Sequence, residues 1–168
     1  MAFQSTVRQF MTDGIVGDIA LDGPVRSQPV LLQTSDATQN VIGRAVTHVA
    51  GTTNDGKAVA GGTGVFAGIL TNSKQYALTG TTAGTLAPTL VLPNNTPVEA
   101  TYMATGVWVL LTTSANIGDQ VVFAQADGQL AAIAPGASPS AGQTLITGAK
   151  VIRQSTTTAG LAMISLLQ

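Results

Sequence analysis

Short apolar runs separated by turn-forming residues cover nearly the whole chain, and this pattern constrains the fold more than any other feature. The runs are rich in Val, Ile, Leu and Thr and are bounded by Gly, Pro, Asn or Asp, which is typical of strands joined by turns. An apolar repeat with the period of a helix is hard to find. The pattern predicts strands at residues 15–21, 30–33, 41–48, 64–71, 75–78, 86–92, 98–103, 106–112, 120–125, 129–133, 144–153 and 161–167.

Turn residues indicate where particular strands end. Asp127-Gly128 separates two good strand runs, and this pair readily adopts the positive φ of a tight hairpin, so a hairpin is predicted over residues 120–133. The stretch 93–97 begins and ends with proline. Each proline fixes φ and removes a backbone donor, so one strand should end near Leu92 and the next should begin near Val98.

The number and spacing of the strands predict the fold class. Residues 106–112 carry large apolar side chains on both faces, which predicts a central strand covered on both sides. Many short strands without a long helix between them predict an all-β fold: an antiparallel β-sandwich, a jelly-roll-like fold or a partly closed barrel. Residues 1–14 have no clean period and are predicted to form an extended N-terminal arm, followed by a single β domain over residues 15–168.

Charged residues are unusually scarce. They make up 9% of the chain, against roughly 25% in ordinary globular proteins. The seven basic and eight acidic residues nearly cancel and are scattered singly, so no basic stripe is available for nucleic acid. Surface charge usually keeps diffusing proteins apart, so this composition favours a protein that is packed against others. A secreted or cell-surface β protein with a Thr/Gly/Ser surface explains the composition equally well.

Reactive side chains are also few. The chain has no cysteine, one histidine (His48) and one glutamate (Glu99), which excludes thiolate chemistry and His/Cys metal clusters. Asp13, Asp18 and Asp22 are not spaced like the ligands of a Ca²⁺ loop. The glycines at 61–64 lack the Lys and Ser/Thr of a phosphate-binding loop, so they are interpreted as a loop before a strand. We therefore predict no catalytic, cofactor or metal site, and no enzymatic activity.

Targeting signals are not expected. Residues 1–10 contain no continuous apolar region of the kind that a secretory signal requires. No run of about 20 apolar residues is present to span a bilayer. Synthesis in the cytoplasm, without membrane association, is the expectation.

Several short segments are informative through their order along the chain. After the opening Met1-Ala2-Phe3-Gln4 they are IVGD at 15–18, VIGRA at 41–45, GVFAGIL at 64–70, IGDQV at 117–121 and GLAMI at 160–164. Together these segments resemble the structural cement protein family of tailed bacteriophages. The resemblance spans most of the chain.

The resemblance implies a compact β-sandwich or jelly-roll-like domain on the outside of a phage capsid. A cement or decoration protein of this kind would contact the major capsid protein and its own copies, as a homodimer or homotrimer, and would have no catalytic role. The mechanism expected here is apolar burial together with strand addition at exposed sheet edges. The predicted interface residues are Phe3, Arg8, Phe10, Met11, Ile15 and Val16.

Two other classes of protein share parts of this pattern. Low charge and Thr/Gly-rich strands are also compatible with another virion protein, such as a tail-tube or head-completion protein, or with a surface adhesin domain. A small β-barrel enzyme or sugar-binding module is disfavoured, because the chain lacks convergent acids, histidines and exposed aromatic residues.

Overall fold

The computed structural model describes residues 14–49, 56–71, 91–154 and 158–167. These ranges contain one short 3₁₀ helix, Ala37–Gln39, and nine strands. The strands are β1 (Arg26–Leu32), β2 (Ala45–His48), β3 (Lys57–Ala60), β4 (Phe66–Leu70), β5 (Pro97–Leu111), β6 (Gln120–Ala124), β7 (Leu130–Ile133), β8 (Gln143–Gln154) and β9 (Gly160–Leu166). The all-β prediction is confirmed. Within the described ranges no helix is long and apolar enough to cross a membrane.

The strands form one mixed sheet that closes partly into two rings. Its order is β1-β3-β2-β4-β5-β7-β6-β8-β9, and the additional pairings β1–β5 and β5–β9 bring each half of the sheet back onto β5. The N-terminal ring contains β1 to β4 and the first half of β5, and the C-terminal ring contains the second half of β5 and β6 to β9. The sheet is therefore partly ringed, but it is not one clean barrel.

Two pairings depart from the antiparallel arrangement that was expected. β1 pairs with β3 in parallel, and β5 pairs with β7 in parallel. Parallel neighbours need a crossover between them. In both cases the strand that lies between the two along the chain provides the crossover. β2 is antiparallel to β3, and β6 is antiparallel to β7.

Strand β5 connects the two rings and explains one wrong prediction. Residues 98–103 and 106–112 were predicted as separate strands, but they belong to one strand of 15 residues, which spans about 50 Å at about 3.4 Å per residue. Gly106 does not end the strand. The register instead shifts between Ala104 and Val107, which is where β5 passes from one ring to the other.

Other predicted boundaries were wrong for local reasons. Residues 15–21 make only an isolated bridge, between Ile19 and Val107, because Gly17 has a φ of +88° and turns the chain. Residues 41–48 are interrupted at Gly43, where φ is +87°. Strand β3 was missed because its last residues adjoin the glycines at 61–64. The predicted strand 75–78 and all but the end of 86–92 lie outside the described residues.

The predicted turns are confirmed. β6 and β7 form an antiparallel hairpin in which Gln120 is opposite Ile133 and Phe123 is opposite Leu130. Asn95 adopts a φ of +60° in the turn before β5, and β5 begins at Pro97. Pro97 has no backbone N–H to donate, but it occupies the first position of β5, so the rest of the strand keeps its backbone donors.

Each ring encloses a buried apolar cluster. The C-terminal ring is filled by side chains that include Phe123, Leu111, Leu130 and Ile164. The N-terminal ring is filled by a second cluster, whose members are Val30, Leu32, Ile42, Val46, Ala58, Ala67, Leu70, Leu92, Val98 and Ala100. Phe66 of β4 reaches the first cluster, and its ring centroid lies 6.1 Å from that of Phe123.

The β6–β7 turn packs directly against the N-terminal ring. The Gly62 N–H donates to the Gln125 carbonyl at 2.7 Å, and the Ala45 N–H donates to the Gly128 carbonyl at 2.9 Å. A Cβ on Gly61 would lie 2.6 Å from the Gln125 carbonyl oxygen and 2.8 Å from the Gly128 nitrogen. The glycine at position 61 thus permits contact between two backbones, which agrees with its interpretation as part of a loop.

Candidate interaction surface

Residues 14–20 lie along the edge of β5 in the C-terminal ring. The Gly17 N–H donates to the Trp108 carbonyl at 2.7 Å, the Trp108 N–H donates to the Asp18 carbonyl at 2.9 Å, and the Ala20 N–H donates to the Gly106 carbonyl at 2.9 Å. The pattern is antiparallel. We call residues 14–20 the edge segment, because they satisfy backbone groups of β5 without forming a regular strand.

The face of β5 and β9 that points away from the core is apolar. Val107 and Val109 of β5 and Ile164 of β9 belong to the core cluster, and side chains alternate along a strand. The residues between them therefore point outwards. We call this surface the outer face. Its apolar members are Trp108, Leu110, Leu161 and Met163, with Leu21 lying over Gly106, and Ser165 is a buried polar member.

Trp108 is covered on the outer face by the chain itself. A Cβ on Gly14 would lie 2.3 Å from Nε1 of the indole, so only glycine can approach the ring this closely. The Arg153 guanidinium lies 5.6 Å from the ring centroid, within the range of a cation–π contact. Trp108 is only 4% exposed. The prediction of a strand covered on both sides is confirmed at this position.

Large apolar side chains remain exposed along the outer face and beside it, so the prediction of a strand covered on both sides is wrong at Leu110. Ile15 and Leu110 are each 57% exposed, and Leu21 and Leu167 are also exposed. Leu167 follows β9 on the same alternation as Leu161 and Met163. Clustered exposed apolar residues are uncommon on a protein without partners and mark a surface available for contact.

The structure treats the predicted interface residues differently. Phe3, Arg8, Phe10 and Met11 lie outside the described residues. Ile15 is exposed beside the outer face.

Val16 is half-buried, and its Cγ1 lies 2.2 Å from where a Cβ of Gly43 would be. Val16 therefore packs against its own chain, while Ile15 points to solvent.

Sequence reasoning missed Leu21, Leu110 and Leu167 as surface candidates. For Leu110 the signal was available, because strand alternation from Val107 and Val109 places it on the opposite face. The same alternation within residues 161–167 places Leu167 on the face opposite Ile164, whereas for Leu21 no pattern in the sequence distinguishes an exposed from a buried position. Their exposure depends on which segments pack beside β5.

The exposed strand edges expected for strand addition are not found among the nine described strands. Each of them pairs with at least two neighbours. Side-chain hydrogen bonds add to this backbone pairing, between β1 and β4 and between β7 and the residues that follow β5. Gln28 Nε2 donates to the Ala67 carbonyl at 2.7 Å, and the Thr113 hydroxyl lies 2.8 Å from the Ala132 nitrogen. Ring closure therefore removes the free edges that a half-open sandwich would have had.

A buried polar network closes the end of the N-terminal ring. Asn40 is fully buried, accepts a hydrogen bond from the Thr34 hydroxyl and donates to the Leu92 carbonyl at 3.1 Å. Asn40 also donates to Asn94 Oδ1 at 2.8 Å. These bonds fix the loops before β2 and β5 relative to each other, so the network has a structural role.

The titratable groups of the described residues do not assemble a metal site. Within the described ranges no group of three or more His, Cys, Asp and Glu residues could hold a metal ion. His48 Nε2 lies 3.2 Å from the side-chain nitrogen of Gln28. The Thr38 hydroxyl and the Thr38 backbone N–H both donate to the Asp36 carboxylate. These bonds lower the pKa of that carboxyl below 3.8, and the bond from the hydroxyl has the larger effect. Asp36 caps the 3₁₀ helix.

The comparisons with known proteins identify the family. The family model described as structural cement protein (E217 gp24/Pam3 gp6) matches residues 3–167. The chain belongs to the structural cement protein family. It is a structural protein of a phage capsid, as the resemblance implied.

A solved structure shares the fold of this cement protein. One chain from the capsid of Myoviridae phage XM1 superposes with a TM-score of 0.64 at 17% sequence identity, and the match covers 100% of this chain and 99% of that one. No curated protein matches the chain. The shared architecture therefore extends over the whole cement protein although few residues are identical.

Proposed function

We propose that this cement protein binds the outer surface of a phage head and stabilises contacts between subunits of the major capsid protein. The observation that carries the proposal is the family match over residues 3–167. The scarcity of charge and the apolar outer face support it, because both suit a protein that works through contact area. No catalytic step is part of this function.

Apolar burial is the proposed binding mode. Burial of about 1,000 Å² of apolar surface contributes on the order of 25 kcal/mol gross, of which association entropy cancels about 4–15 kcal/mol. The outer face contributes Leu110 and Leu21, and Ile15 lies beside it. Since the described strands leave no complete free edge, side-chain contact replaces strand addition as the main contribution in this proposal.

The N-terminal residues are proposed to extend the same contact. Phe3, Phe10 and Met11 would act as apolar anchors and Arg8 as a charged contact. They precede Gly14, which lies against Trp108 at the centre of the outer face. Deletion of residues 2–12 should lower capsid occupancy, and unchanged occupancy would remove these four residues from the interface.

Substitution on the outer face tests the binding surface. Leu110→Ser should weaken binding to undecorated shells at least about tenfold, because a buried leucine contributes about 1.5–3 kcal/mol and each 1.4 kcal/mol is a factor of ten. Ile117→Ser is the matched control, since Ile117 is 77% exposed on the β5–β6 turn. Equal binding by the two variants would exclude the outer face.

Salt separates apolar from ionic binding. In about 1 M NaCl the Debye length is about 3 Å, so contacts between exposed charges are screened while apolar contacts persist. Occupancy measured by sedimentation with shells should therefore be retained. Release by salt alone would contradict the proposed mode.

Copy number distinguishes a cement protein from the other virion proteins with a similar sequence pattern. Hundreds of copies per particle, measured by quantitative mass spectrometry, are expected for a capsid cement. A dozen or fewer would indicate a head–tail component. Self-association as a dimer or trimer is part of the proposal, because several linked sites raise avidity without new contacts.

A further inference from the structure

The two rings have the same strand topology. In the N-terminal ring, β1 is parallel to β3 and antiparallel to the first half of β5, β2 is antiparallel to β3 and β4, and β4 is antiparallel to β5. The C-terminal ring repeats each of these pairings, with β5, β6, β7, β8 and β9 in the places of β1, β2, β3, β4 and β5. Strand β5 is therefore the last strand of one ring and the first strand of the other.

A short sequence is repeated together with this topology. Residues 30–35 read VLLQTS and residues 109–114 read VLLTTS, and each segment ends the first strand of its ring. Thr34 and Thr113 occupy the same place in the two segments. The hydroxyl of each accepts a hydrogen bond from a backbone N–H of the third strand, at 3.0 Å in the N-terminal ring and at 2.8 Å in the C-terminal ring.

A glycine turn before the second strand is also repeated. Gly43 and Gly118 have φ values of +87° and +96°. The Gly43 N–H donates to the Leu70 carbonyl and the Gly118 N–H donates to the Val151 carbonyl, both at 2.7 Å. The N–H groups of Leu70 and Val151 donate in return to the residue after each glycine, both at 2.9 Å. Since self-similarity along a chain is the signature of a repeated unit, the rings are two repeats of one five-strand module.

The repeat identifies a second apolar surface, on the N-terminal ring. Leu31 of β1 corresponds to Leu110 and is opposite Pro97, just as Leu110 is opposite Leu161. Both strand neighbours of Leu31 belong to the core of the N-terminal ring, so Leu31 points outwards. We call this surface the N-terminal outer face, and its members are Pro29, Leu31, Pro97 and Glu99.

The two outer faces agree in position and largely in chemistry. Pro29 and Pro97 are exposed and Leu31 is half-buried, so the N-terminal outer face is mainly apolar. Glu99 is the exception, because the corresponding residue of the C-terminal ring is Met163. The N-terminal ring therefore offers apolar contact of the same kind, together with one acidic side chain.

We propose that each ring binds one subunit of the major capsid protein through its outer face, so that one cement protein bridges two neighbouring subunits. The inference rests on the proposed capsid binding and specifies how one chain holds two subunits together. Copies of the capsid protein present the same surface, and a chain that carries one module twice can contact that surface twice. Once one ring is bound, binding of the other is intramolecular, so the bridge is stronger than either contact alone.

Photo-crosslinking from equivalent positions tests the bridge. The chain has no cysteine, so a benzophenone label can be attached at Leu31→Cys or at Leu110→Cys, and the labelled full-length protein is bound to undecorated shells. Both labels are expected to crosslink to the same peptide of the major capsid protein, identified by mass spectrometry. Ile117→Cys is the control and should not give this peptide, because Ile117 is exposed on the β5–β6 turn, outside both outer faces.

A second equivalent pair protects the test against local damage. Labels at Pro97→Cys and Leu161→Cys should again give one common capsid peptide, and circular dichroism checks that each labelled protein is folded. Capsid peptides from only one ring, or different peptides from the two rings, would overturn the bridge and leave capsid binding intact. Occupancy without a capsid peptide from any label would also refute the bridge, whereas failure to occupy shells at all would refute the proposed function.

The amount bound at saturation is an independent measurement. A bridging chain occupies two capsid subunits, so binding should saturate at no more than one cement protein per two subunits, measured by quantitative mass spectrometry of the decorated shells. Saturation at one cement protein per subunit would contradict the bridge, because each subunit would then hold its own copy.

Discussion

Gly61→Ala tests whether the two rings depend on backbone contact at their junction. Gly61 has a φ of +69°, a conformation that costs an L-residue roughly 1–2 kcal/mol. The added Cβ would also lie 2.6 Å from the Gln125 carbonyl oxygen, 2.8 Å from the Gly128 nitrogen and 2.9 Å from the Ala124 carbonyl oxygen. All three atoms are backbone, so the β6–β7 turn must move, and overpacking of this kind costs roughly 1–3 kcal/mol.

Gly61→Ala is therefore expected to lower the free energy of unfolding by about 2–5 kcal/mol. For a chain of this size each 1 kcal/mol lowers Tm by about 2–4 °C, so a decrease of roughly 10 °C is expected. Urea unfolding followed by Trp108 fluorescence and by circular dichroism gives the free energy of unfolding, and agreement of the two probes checks that both rings unfold together.

Gly136→Ala is the matched control for this substitution. Gly136 has a φ of +80°, and a Cβ there would meet no atom within 4 Å. Gly136→Ala should lower the free energy of unfolding only by the conformational cost of the positive φ, about 1–2 kcal/mol. If the two variants lose the same free energy within about 0.5 kcal/mol, the close approach of the β6–β7 turn to Gly61 does not stabilise the junction, and the reasoning is refuted.

Three further predictions concern polar contacts. Asn40→Ala should lower the free energy of unfolding by about 2–4 kcal/mol in urea titration, because buried partners lose their hydrogen bonds; a loss below about 1 kcal/mol would contradict this. Thr113→Val should lower the free energy of unfolding by about 1 kcal/mol, because the Ala132 N–H loses its hydrogen bond to the Thr113 hydroxyl. Faster hydrogen exchange of the Ala132 amide would show that the loss is local. Thr38→Val should raise the pKa of Asp36 towards 3.8 in an NMR titration, since Thr38 holds it lower. The contribution of Asp36 to stability is present above about pH 3.8 and is lost as the pH falls through the pKa of the folded state. If Thr38→Val leaves the pKa of Asp36 unchanged, the hydrogen bond from the Thr38 hydroxyl is not what lowers that pKa.

Local features of the chain were predictable because their causes are local. Asp127-Gly128 specifies the β6–β7 turn, and the prolines at 93 and 97 specify the turn before β5. Residues 106–112 indicate a strand through their apolar side chains, but the prediction that both faces are covered is wrong at Leu110, which is 57% exposed. The family was predictable from the order of short motifs along the chain, and the family match over residues 3–167 confirms it.

Pairing between distant segments was not predictable from these patterns. Strands β1 and β9 return to the same strand β5, and nothing in the composition of β5 indicates that it serves two rings. Gly106 resembles a strand terminus in the sequence. In the structure it is the point where Leu21 and Met163 pack closely against the backbone.

The outer face shows the same difference between features set by neighbouring residues and features set by distant segments. The sequence by itself determined an all-β chain poor in charge, with its turns at defined glycines and prolines, because backbone conformation and side-chain alternation depend on neighbouring residues. Only the tertiary structure decided that Trp108 is covered by Gly14 while Leu110, two residues further along β5, stays exposed. That difference arises because burial depends on which distant segment lies across a strand, and this is set by ring closure and by the path of the edge segment.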